Sequence, residues 1–270
     1  MPEAPLTAAR VVLETRDVTK RYLLEDIEVN ALAGVSIAIH AGEMVSIMGP
    51  SGSGKSTLMH IVGLLDTPTT GQVILEGEDV SNLSPNELPE LRNKHIGFVI
   101  QAFNVLPRTT AQANVELPLA YGGVSGAERS RLAREALTRV GLGDRMGHLS
   151  NRLSGGRQQR VAIARELVNN PSIVLADEPT GNLDSRSGIE VMAILQELHA
   201  QGSTIVLVTH DERVASHAQR VIRVLDGRVK ADESVENRVM SADEPAHHAR
   251  CHHRRCRGHP ARRHRQRCPR

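Results

Sequence analysis

Cysteine, aromatic residues and long apolar runs are all scarce in this chain of 270 residues. There is no Trp, only two Tyr and two Phe, and the three Cys residues are Cys251, Cys256 and Cys268. No segment approaches the roughly 18 consecutive apolar residues of a membrane-spanning helix, and the first ten residues lack the apolar run of a secretory signal. These absences exclude disulfides from residues 1–250 and predict a chain that stays in the cytosol.

Charge is distributed unevenly along the chain. The formal net charge is +2, but residues 246–270 hold nine Arg and no acidic residue, which leaves 24 basic against 31 acidic side chains in residues 1–245. A mildly acidic body argues against binding of duplex DNA through a basic face. We therefore expect no nucleic-acid partner.

The C-terminal residues 233–270 are predicted to form a disordered, basic tail, because from residue 246 onward they contain no Val, Ile, Leu, Met or Phe. The spacing of the three Cys does not match the paired ligands of structural zinc sites, which makes metal binding the weaker interpretation. Two other interpretations stay open: binding to anionic lipid, and a reading-frame change in the gene.

The apolar pattern of residues 1–232 predicts an α/β fold with a small antiparallel β region at its start. Val- and Ile-rich runs predict strands at 11–14, 36–39, 43–48, 72–75 and 97–100. Residues from about 103 to 168 predict an inserted helical subdomain, in which Leu132, Ala136, Leu137 and Val140 share one helical face. Alternating strands and helices then return at 172–176, 187–198, 204–209 and 221–225, which is typical of a parallel sheet.

A phosphate-binding loop follows the predicted strand at 43–48. The pattern G-x-x-x-x-G-K-[ST] is matched by Gly49, Pro50, Ser51, Gly52, Ser53, Gly54, Lys55 and Ser56. Its glycines let backbone N–H groups face phosphates, Lys55 adds a positive charge, and the Ser56 hydroxyl can bind Mg²⁺. Thr57 is expected near the α-phosphate. The loop predicts ATP and Mg²⁺ as cofactors, with Lys55 in a catalytic role.

Two carboxylates, Asp177 and Glu178, end the apolar strand at 172–176. Asp177 is expected to hold Mg²⁺ and Glu178 to polarise the attacking water. Acidic residues at a strand end are more often a solvated turn, but the phosphate loop earlier in the chain favours the catalytic interpretation.

A second glycine-rich turn, Ser154-Gly155-Gly156, precedes another predicted helix. Because the phosphate loop already serves the chain's own nucleotide, N–H groups at this helix start would suit the γ-phosphate of a neighbour's ATP. The alternative is an ordinary helix cap made by Ser154.

The phosphate loop, LSGGRQQR, LADEPTGNLD and VTHD occur in an order and spacing that resemble the ABC ATPase family, over about residues 10–230. Within it, MGPSGSGKSTLMHIVGLLD and NLDSRSGIEVMAIL resemble the branch of macrolide-exporter and lipoprotein-release ATPases.

The resemblance implies further roles. Tyr22 matches the aromatic that stacks on adenine, Gln101 the glutamine that senses Mg²⁺ and contacts the membrane partner, and His210 the switch histidine at the γ-phosphate. Asp184 would lie across the interface of a homodimer, in which Ser154 to Gly156 close over the opposite subunit's ATP. Each also has a structural alternative, as a core aromatic or a strand-end polar residue.

Three residues depart from the family pattern. Arg157 stands where Gln or a carboxylate is most frequent, and Ser150 and Arg152 replace Pro and Gln. They put the coupling to a membrane partner in doubt rather than ATP hydrolysis.

Together these observations predict an ATPase subunit of an ABC-type transport or extrusion complex, bound at the cytoplasmic face of the membrane to a permease on another chain. The alternatives are soluble ABC ATPases of DNA repair or translation, and a P-loop kinase. The first usually has a long heptad insertion and the second two cassettes, and the kinase leaves LSGGRQQR unexplained.

Overall fold

The computed structural model describes residues 10–24, 27–84 and 86–241, and it opens with an antiparallel sheet. Strands β1 (Val11–Leu24) and β2 (Ile27–His40) form a long hairpin. β3 (Met44–Met48) belongs to a different sheet, while β4 (Thr70–Leu75) and the short β5 (Glu78–Asp79) extend the hairpin in the order β2-β1-β4-β5. One face of this sheet packs inward, because Val35, Ile37 and Ile39 alternate along β2 and are buried.

The second sheet joins β3 to strands from the rest of the chain. These are β6 (Ile96–Val99), β7 (Ile173–Asp177), β8 (Thr204–Thr209), β9 (Arg220–Leu225) and β10 (Arg228–Ser234). Within the described residues the order is β10-β9-β3-β8-β7-β6, parallel from β9 to β6, with β10 antiparallel at the edge. Every residue of β3 and β8 is buried, as expected for strands covered on both faces.

Helix α1 (Lys55–Val62) lies between the two sheets, because its apolar residues belong to one buried cluster with side chains of both. Helix α2 (Leu88–His95) leads into β6. Three further helices, α3 (Ala111–Tyr121), α4 (Gly126–Arg139) and α5 (Gly155–Leu167), pack on one another and form a second cluster with the other face of the parallel sheet. A 3₁₀ turn, Ser150–Arg152, precedes α5.

The last helices are α6 (Ser185–Ala200) and the single turn α7 (Glu212–Ala215). Residues 235–241 pack against both: the Gln196 side chain donates to the Val239 carbonyl at 2.7 Å and accepts from the Ser241 amide at 2.8 Å. Arg238 Nε donates to the His217 carbonyl at 2.6 Å. The predicted start of the tail, residue 233, is therefore too early. Strand β10 continues through that residue, and the buried side chain of Gln196 binds the segment that follows. Residues 242–270, with the remaining tail predictions, lie outside the described residues.

The α/β fold class is confirmed, and each predicted strand and helix overlaps a strand or helix of the structure. β1 and β2 are each 14 residues long and extend well beyond the short apolar runs that predicted them, since backbone pairing in the hairpin continues through polar positions. Among the described residues, no helix combines the length and apolar character that are needed to cross a bilayer.

Candidate nucleotide site

The phosphate loop connects the end of β3 to the start of α1, at the edge where parallel strands end together. Gly49 allows no side chain, because a Cβ there would lie 2.1 Å from the carbonyl oxygen of Val224 on β9. Gly54 caps α1 with φ of +101°, a left-handed conformation that glycine adopts without strain. The sequence therefore forces a sharp turn that delivers a helix N-terminus to the sheet edge.

Lys55 is the first residue of α1 and is 9% exposed. Its Nζ donates to the carbonyl oxygens of Gly49 at 2.7 Å and Pro50 at 2.8 Å. Burial lowers the pKa of Lys55, while Glu178 and Asp177 act in the opposite direction. A buried cation whose acceptors among the described residues are two carbonyl oxygens is suited to an anion placed against the loop.

Asp177 ends β7 beside Glu178. Burial raises the pKa of Asp177, the charge of Glu178 raises it further, and His60 and Lys55 oppose that effect. Glu178 has φ of +43°, in the left-handed region that is uncommon for a non-glycine residue, and its amide donates to the Val208 carbonyl at 2.8 Å. Neighbouring carboxylates in such an environment favour a cation between them and a phosphate.

Glu178 is held by the residues that follow β8. Its Oε1 atom lies 2.5 Å from His210 Nδ1 and accepts from the His210 amide at 3.0 Å, while Oε2 accepts from the Thr209 hydroxyl at 3.0 Å. The Glu178 side chain is 19% exposed and that of His210 72% exposed. The carboxylate is thus fixed in orientation, while the imidazole reaches outward.

One cavity of about 860 Å³ joins these groups. Of the predicted site residues, it is lined by Gly49, Pro50, Ser51, Gly52, Gly54, Lys55, Ser56, Thr57, Gln101, Asp177, Glu178 and His210. Sequence reasoning missed Val29, Asn30 and Ala31 from β2, together with Met48 and the ion pair Glu212–Arg223. No local sequence pattern could have found the β2 residues, because their contribution depends on where the hairpin lies relative to the phosphate loop.

Other predicted residues lie outside this cavity's lining. Ser53 is buried, and its hydroxyl has no hydrogen-bond partner among the described residues. The Tyr22 hydroxyl donates to Asp66 at 2.9 Å, and Lys20 Nζ lies 5.1 Å from the ring centre. Burial raises the pKa of Tyr22, with its bond to Asp66 in support.

The Ser154-Gly155-Gly156 turn and Asp184 are also elsewhere. Ser154 and Gly156 line a separate cavity, whereas Gly155 lies beside Leu183 and Phe103. Asp184 caps α6, accepting from the Ser187 amide at 3.0 Å and from its hydroxyl at 2.8 Å. Asp184 also lines a further cavity together with Glu178 and His210. Among the described residues, the predicted turn that is separated from the nucleotide cavity is therefore Ser154–Gly156.

The cavity that the phosphate loop lines fits a nucleoside triphosphate with a divalent cation. The buried cation of Lys55 lies in this cavity's wall and donates to the carbonyl oxygens of Gly49 and Pro50. Oxygen ligands for a hard cation line the same cavity on Ser56, Gln101 and Asp177. The Gln101 amide nitrogen donates to Asn182 Oδ1 at 3.2 Å, which holds this side chain next to β7's end.

Comparison with known proteins decides the family. The family model for ABC transporters matches residues 32–181. The chain belongs to the ABC transporter family. It is an ATP-binding, ATP-hydrolysing subunit of the transport type, as the sequence predicted, and this outcome is favoured over the soluble alternatives.

Two relatives show the range of lengths in this ABC family. The chain is 53% identical over 222 residues to an uncharacterized ABC transporter ATP-binding protein of Thermotoga maritima, covering 82% of this chain and 95% of that one. It is 52% identical over 221 residues to the macrolide export ATP-binding/permease protein MacB 2 of Aeromonas hydrophila, of which it spans 34%. The chain thus spans about a third of the macrolide-export relative.

Solved structures agree with the ABC fold. The dimeric structure of MJ0796, a bacterial ABC transporter cassette, matches with a TM-score of 0.75 and 47% identity, covering 83% of this chain and 98% of that one. A second structure of that cassette, a dimer in a post-hydrolysis state bound to ADP and Pi, matches with a TM-score of 0.75 and 46% identity.

Proposed function

We propose that the chain hydrolyses Mg·ATP as one half of a homodimer with two composite sites, and that it drives a permease in the membrane. The observation that carries the dimer is the separation of the predicted site: the cavity with Lys55, Glu178 and His210 does not contain the Ser154–Gly156 turn. Head-to-tail pairing would place each turn over the other subunit's cavity. The dimeric cassette relative supports this arrangement.

In the proposed site, backbone N–H groups of the phosphate loop and Lys55 bind and orient the phosphates. Ser56, Asp177 and Gln101 would hold Mg²⁺, which supplies neutralisation of phosphate charge when bound. Asp177 is the residue most dependent on it, because burial and Glu178 both disfavour its charged form.

Glu178 would polarise the attacking water. Its orientation is fixed by hydrogen bonds from the Thr209 hydroxyl and the His210 amide. His210 would pair with Glu178 and present its exposed edge to the γ-phosphate, so that both would respond to the loss of this group. Catalysis is then mostly positioning and charge stabilisation.

Replacement of Glu178 by Gln tests the proposal. We expect Glu178→Gln to lower ATP turnover by about 10²–10⁴-fold, as for loss of a general base, while ATP binding is kept. With ATP, light scattering after size exclusion should show a stable dimer. Glu135→Gln, on the exposed face of α4, is the matched control and should behave as the parent. Normal turnover in Glu178→Gln would refute the role of Glu178.

The permease would dock beside Gln101, on a groove of about 900 Å³ between α2, β6 and the helices α3 and α5. Tyr121 on this groove is 84% exposed and Leu65 is 49% exposed, so apolar surface is open there. The permease would be a separate chain, and this chain would lie at the cytoplasmic face of the membrane. The Thermotoga relative, 95% of which the match covers, is named as an ABC transporter ATP-binding protein, in line with this proposal. The cargo would then be selected by the permease, and macrolides are candidates only through the name of the longer relatives.

Co-purification tests the permease. A tagged chain extracted from native membranes in mild detergent should retain an integral membrane protein in a fixed ratio, identified by mass spectrometry. Tyr121→Glu should release it, whereas Leu225→Glu, an exposed apolar position on β9 outside the groove, should not. Recovery of soluble partners alone would contradict the permease proposal while leaving the ATPase assignment intact.

A further inference from the structure

Asp66 follows helix α1, the helix that begins at the phosphate loop. Its amide donates to the carbonyl oxygen of His60, in the last turn of α1, at 3.2 Å. The described residues that line the nucleotide cavity do not include Asp66. The carboxylate is therefore tied to the helix that carries the phosphate loop, at the end away from the loop.

The Asp66 carboxylate accepts hydrogen bonds on both oxygens. Its Oδ1 atom accepts from Lys20 Nζ at 2.6 Å and from the Thr67 amide at 2.8 Å, and Oδ2 accepts from the Tyr22 hydroxyl at 2.9 Å. Burial opposes ionisation of this group, but the three bonds and the charge of Lys20 outweigh it, so the pKa of Asp66 is lowered. Asp66 is thus ionised at neutral pH and holds two side chains of β1.

Lys20 restricts the Tyr22 ring from a second direction. Its side chain is 12% exposed, and its Nζ atom also donates to the Thr67 carbonyl at 2.7 Å. The same atom lies over the Tyr22 ring, 5.1 Å from the ring centre, where an ammonium group is attracted to the aromatic face. Lys20 therefore covers one face of the ring while Asp66 binds its hydroxyl.

Tyr22 lies beside the nucleotide cavity, outside the lining that the described residues form. In the hairpin it pairs with Val29, which lines the cavity, and directly opposite residues of an antiparallel pair point to the same face of the sheet. Burial raises the pKa of Tyr22, Asp66 raises it further, and a hydrogen bond with the side chain of Thr57 acts in the opposite direction. Thr57 also lines the cavity, so two neighbours of Tyr22 belong to its wall.

Other bonds keep the segment after α1 against β1. The Thr69 amide donates to the Thr19 carbonyl at 2.8 Å, and the Thr69 hydroxyl accepts from the Arg21 amide at 3.0 Å. These bonds do not involve the Asp66 carboxylate. Loss of that carboxylate should therefore free the Tyr22 ring without detaching the two segments.

We propose that Asp66 is a positioning residue for the nucleotide, which orients the Tyr22 ring so that the face opposite Lys20 stacks on the adenine base. The inference rests on the binding of ATP in the proposed function. A ring that is already held in one orientation loses less conformational freedom when a base stacks on it, so the base adds more to the affinity. The phosphates are held by the loop and by Lys55, and their contribution does not depend on Asp66.

Isothermal titration of the full nucleotide-free chain with ADP and with pyrophosphate separates the contribution of the base from that of the phosphates. Asp66→Ala should weaken ADP binding at least about threefold, as part of what stacking on an aromatic ring provides, and change pyrophosphate binding less than about 1.5-fold. Asp79→Ala removes another hydrogen-bonded aspartate of the same sheet, one that is not among the described residues lining the cavity, and should leave both affinities unchanged. Equal losses for the two ligands in Asp66→Ala would overturn the inference.

A double substitution shows whether Asp66 acts through the ring. Tyr22→Ala should weaken ADP binding at least about fivefold. When the ring is absent there is nothing for Asp66 to orient, so the addition of Asp66→Ala should weaken ADP binding by less than a further factor of about 1.5. If Asp66→Ala has the same effect with and without the ring, Asp66 does not act through Tyr22.

Tyr22→Phe decides the question if circular dichroism shows that Asp66→Ala does not fold. This variant removes the hydroxyl and leaves the bond between Lys20 and Asp66 in place, so ADP binding should weaken at least about twofold while pyrophosphate binding is kept. Unchanged ADP binding would overturn the inference. None of these titrations requires a dimer, so failure of Glu178→Gln to dimerise with ATP would refute the proposed function and still leave the role of Asp66 decided.

Discussion

The phosphate loop and the Ser154–Gly156 turn use the same local device, a glycine-rich turn that feeds a helix, but their surroundings differ. The loop faces Asp177, Glu178 and His210, which the ends of neighbouring parallel strands bring to it. The turn opens onto a cavity in which four arginines outnumber the two carboxylates, Asp144 and Glu190. The local sequence therefore determines whether a turn can bind an anion. The chemistry at that turn depends on which side chains the sheet, or a second chain, brings close to it.

Among substitutions that distinguish the roles of the two turns, we expect Lys55→Ala to change ATP turnover the most. Removal of this buried cation should lower ATP turnover by about 10²–10³-fold, because one preorganised charge at the phosphates is lost. Steady-state ATPase assays and nucleotide titration measure the change. Lys94→Ala, an exposed lysine on α2, should leave turnover unchanged. A loss of less than about threefold in Lys55→Ala would contradict the loop's role.

A smaller change, in the free energy of unfolding, should show whether Asp184 and Ser154 act as helix caps or as groups of the dimer interface. Asp184 caps α6 through the Ser187 amide, so Asp184→Ala should measurably lower the free energy of unfolding. Ser154 makes no such bond, so Ser154→Ala should change it by less than about 0.5 kcal/mol while weakening the ATP-dependent dimer. Urea denaturation of the monomer and light scattering with ATP give the two readouts. Equal destabilisation by both variants would favour the ordinary-cap interpretation of Ser154.

The smallest expected effect is a change in thermal stability when Asp177 is replaced, at a position where the same replacement abolishes turnover. Because burial and Glu178 raise the pKa of Asp177 above its ordinary value of 3.8, the folded state holds this proton more tightly than the unfolded state. This carboxyl therefore lowers the free energy of unfolding as pH rises through the raised pKa. Asp177→Asn should flatten that slope and raise Tm by about 2 °C at neutral pH, while turnover is lost.

Thermal unfolding of parent and Asp177→Asn across pH, without nucleotide, measures this difference. Asn93→Asp, a change of the same size outside the nucleotide cavity, controls for an added or removed charge. A lower Tm in Asp177→Asn at neutral pH would show that the carboxylate stabilises the ligand-free fold.

The fold could be predicted from the sequence wherever apolar runs were continuous. β3, β7 and β8 are buried along nearly their whole length, so their composition alone marked them as central strands. β10 was missed because its sequence, RVKADES, contains no apolar run. The strand lies at a sheet edge, where exposed residues alternate with partly buried ones at its start. Helix α3 has an apolar residue on almost every side and contains Pro118, which obscured its periodicity.

The site was predictable where its residues are adjacent in sequence. The loop from Gly49 to Ser56 and the pair Asp177–Glu178 were found for that reason, and the structure brings them together. The bonds from Thr209 and His210 to Glu178 cross between β7 and β8, and their geometry follows from strand order rather than from spacing. The contribution of Val29 to Ala31 depends on the placement of the hairpin, which no local pattern encodes.

The hold of Gln196 on residues 235–241 has a practical consequence for protein engineering. A version shortened at residue 232, the apparent end of the cassette by motif, would remove the acceptor and donor of a buried amide on α6 and the partner of the His217 carbonyl. Helix α6 begins directly after its cap Asp184, and its buried side chains share a cluster with Val214 of α7, which follows His210. Misfolding of this region would therefore be read as lost catalysis. Purification tags and fluorophores therefore belong after Ser241.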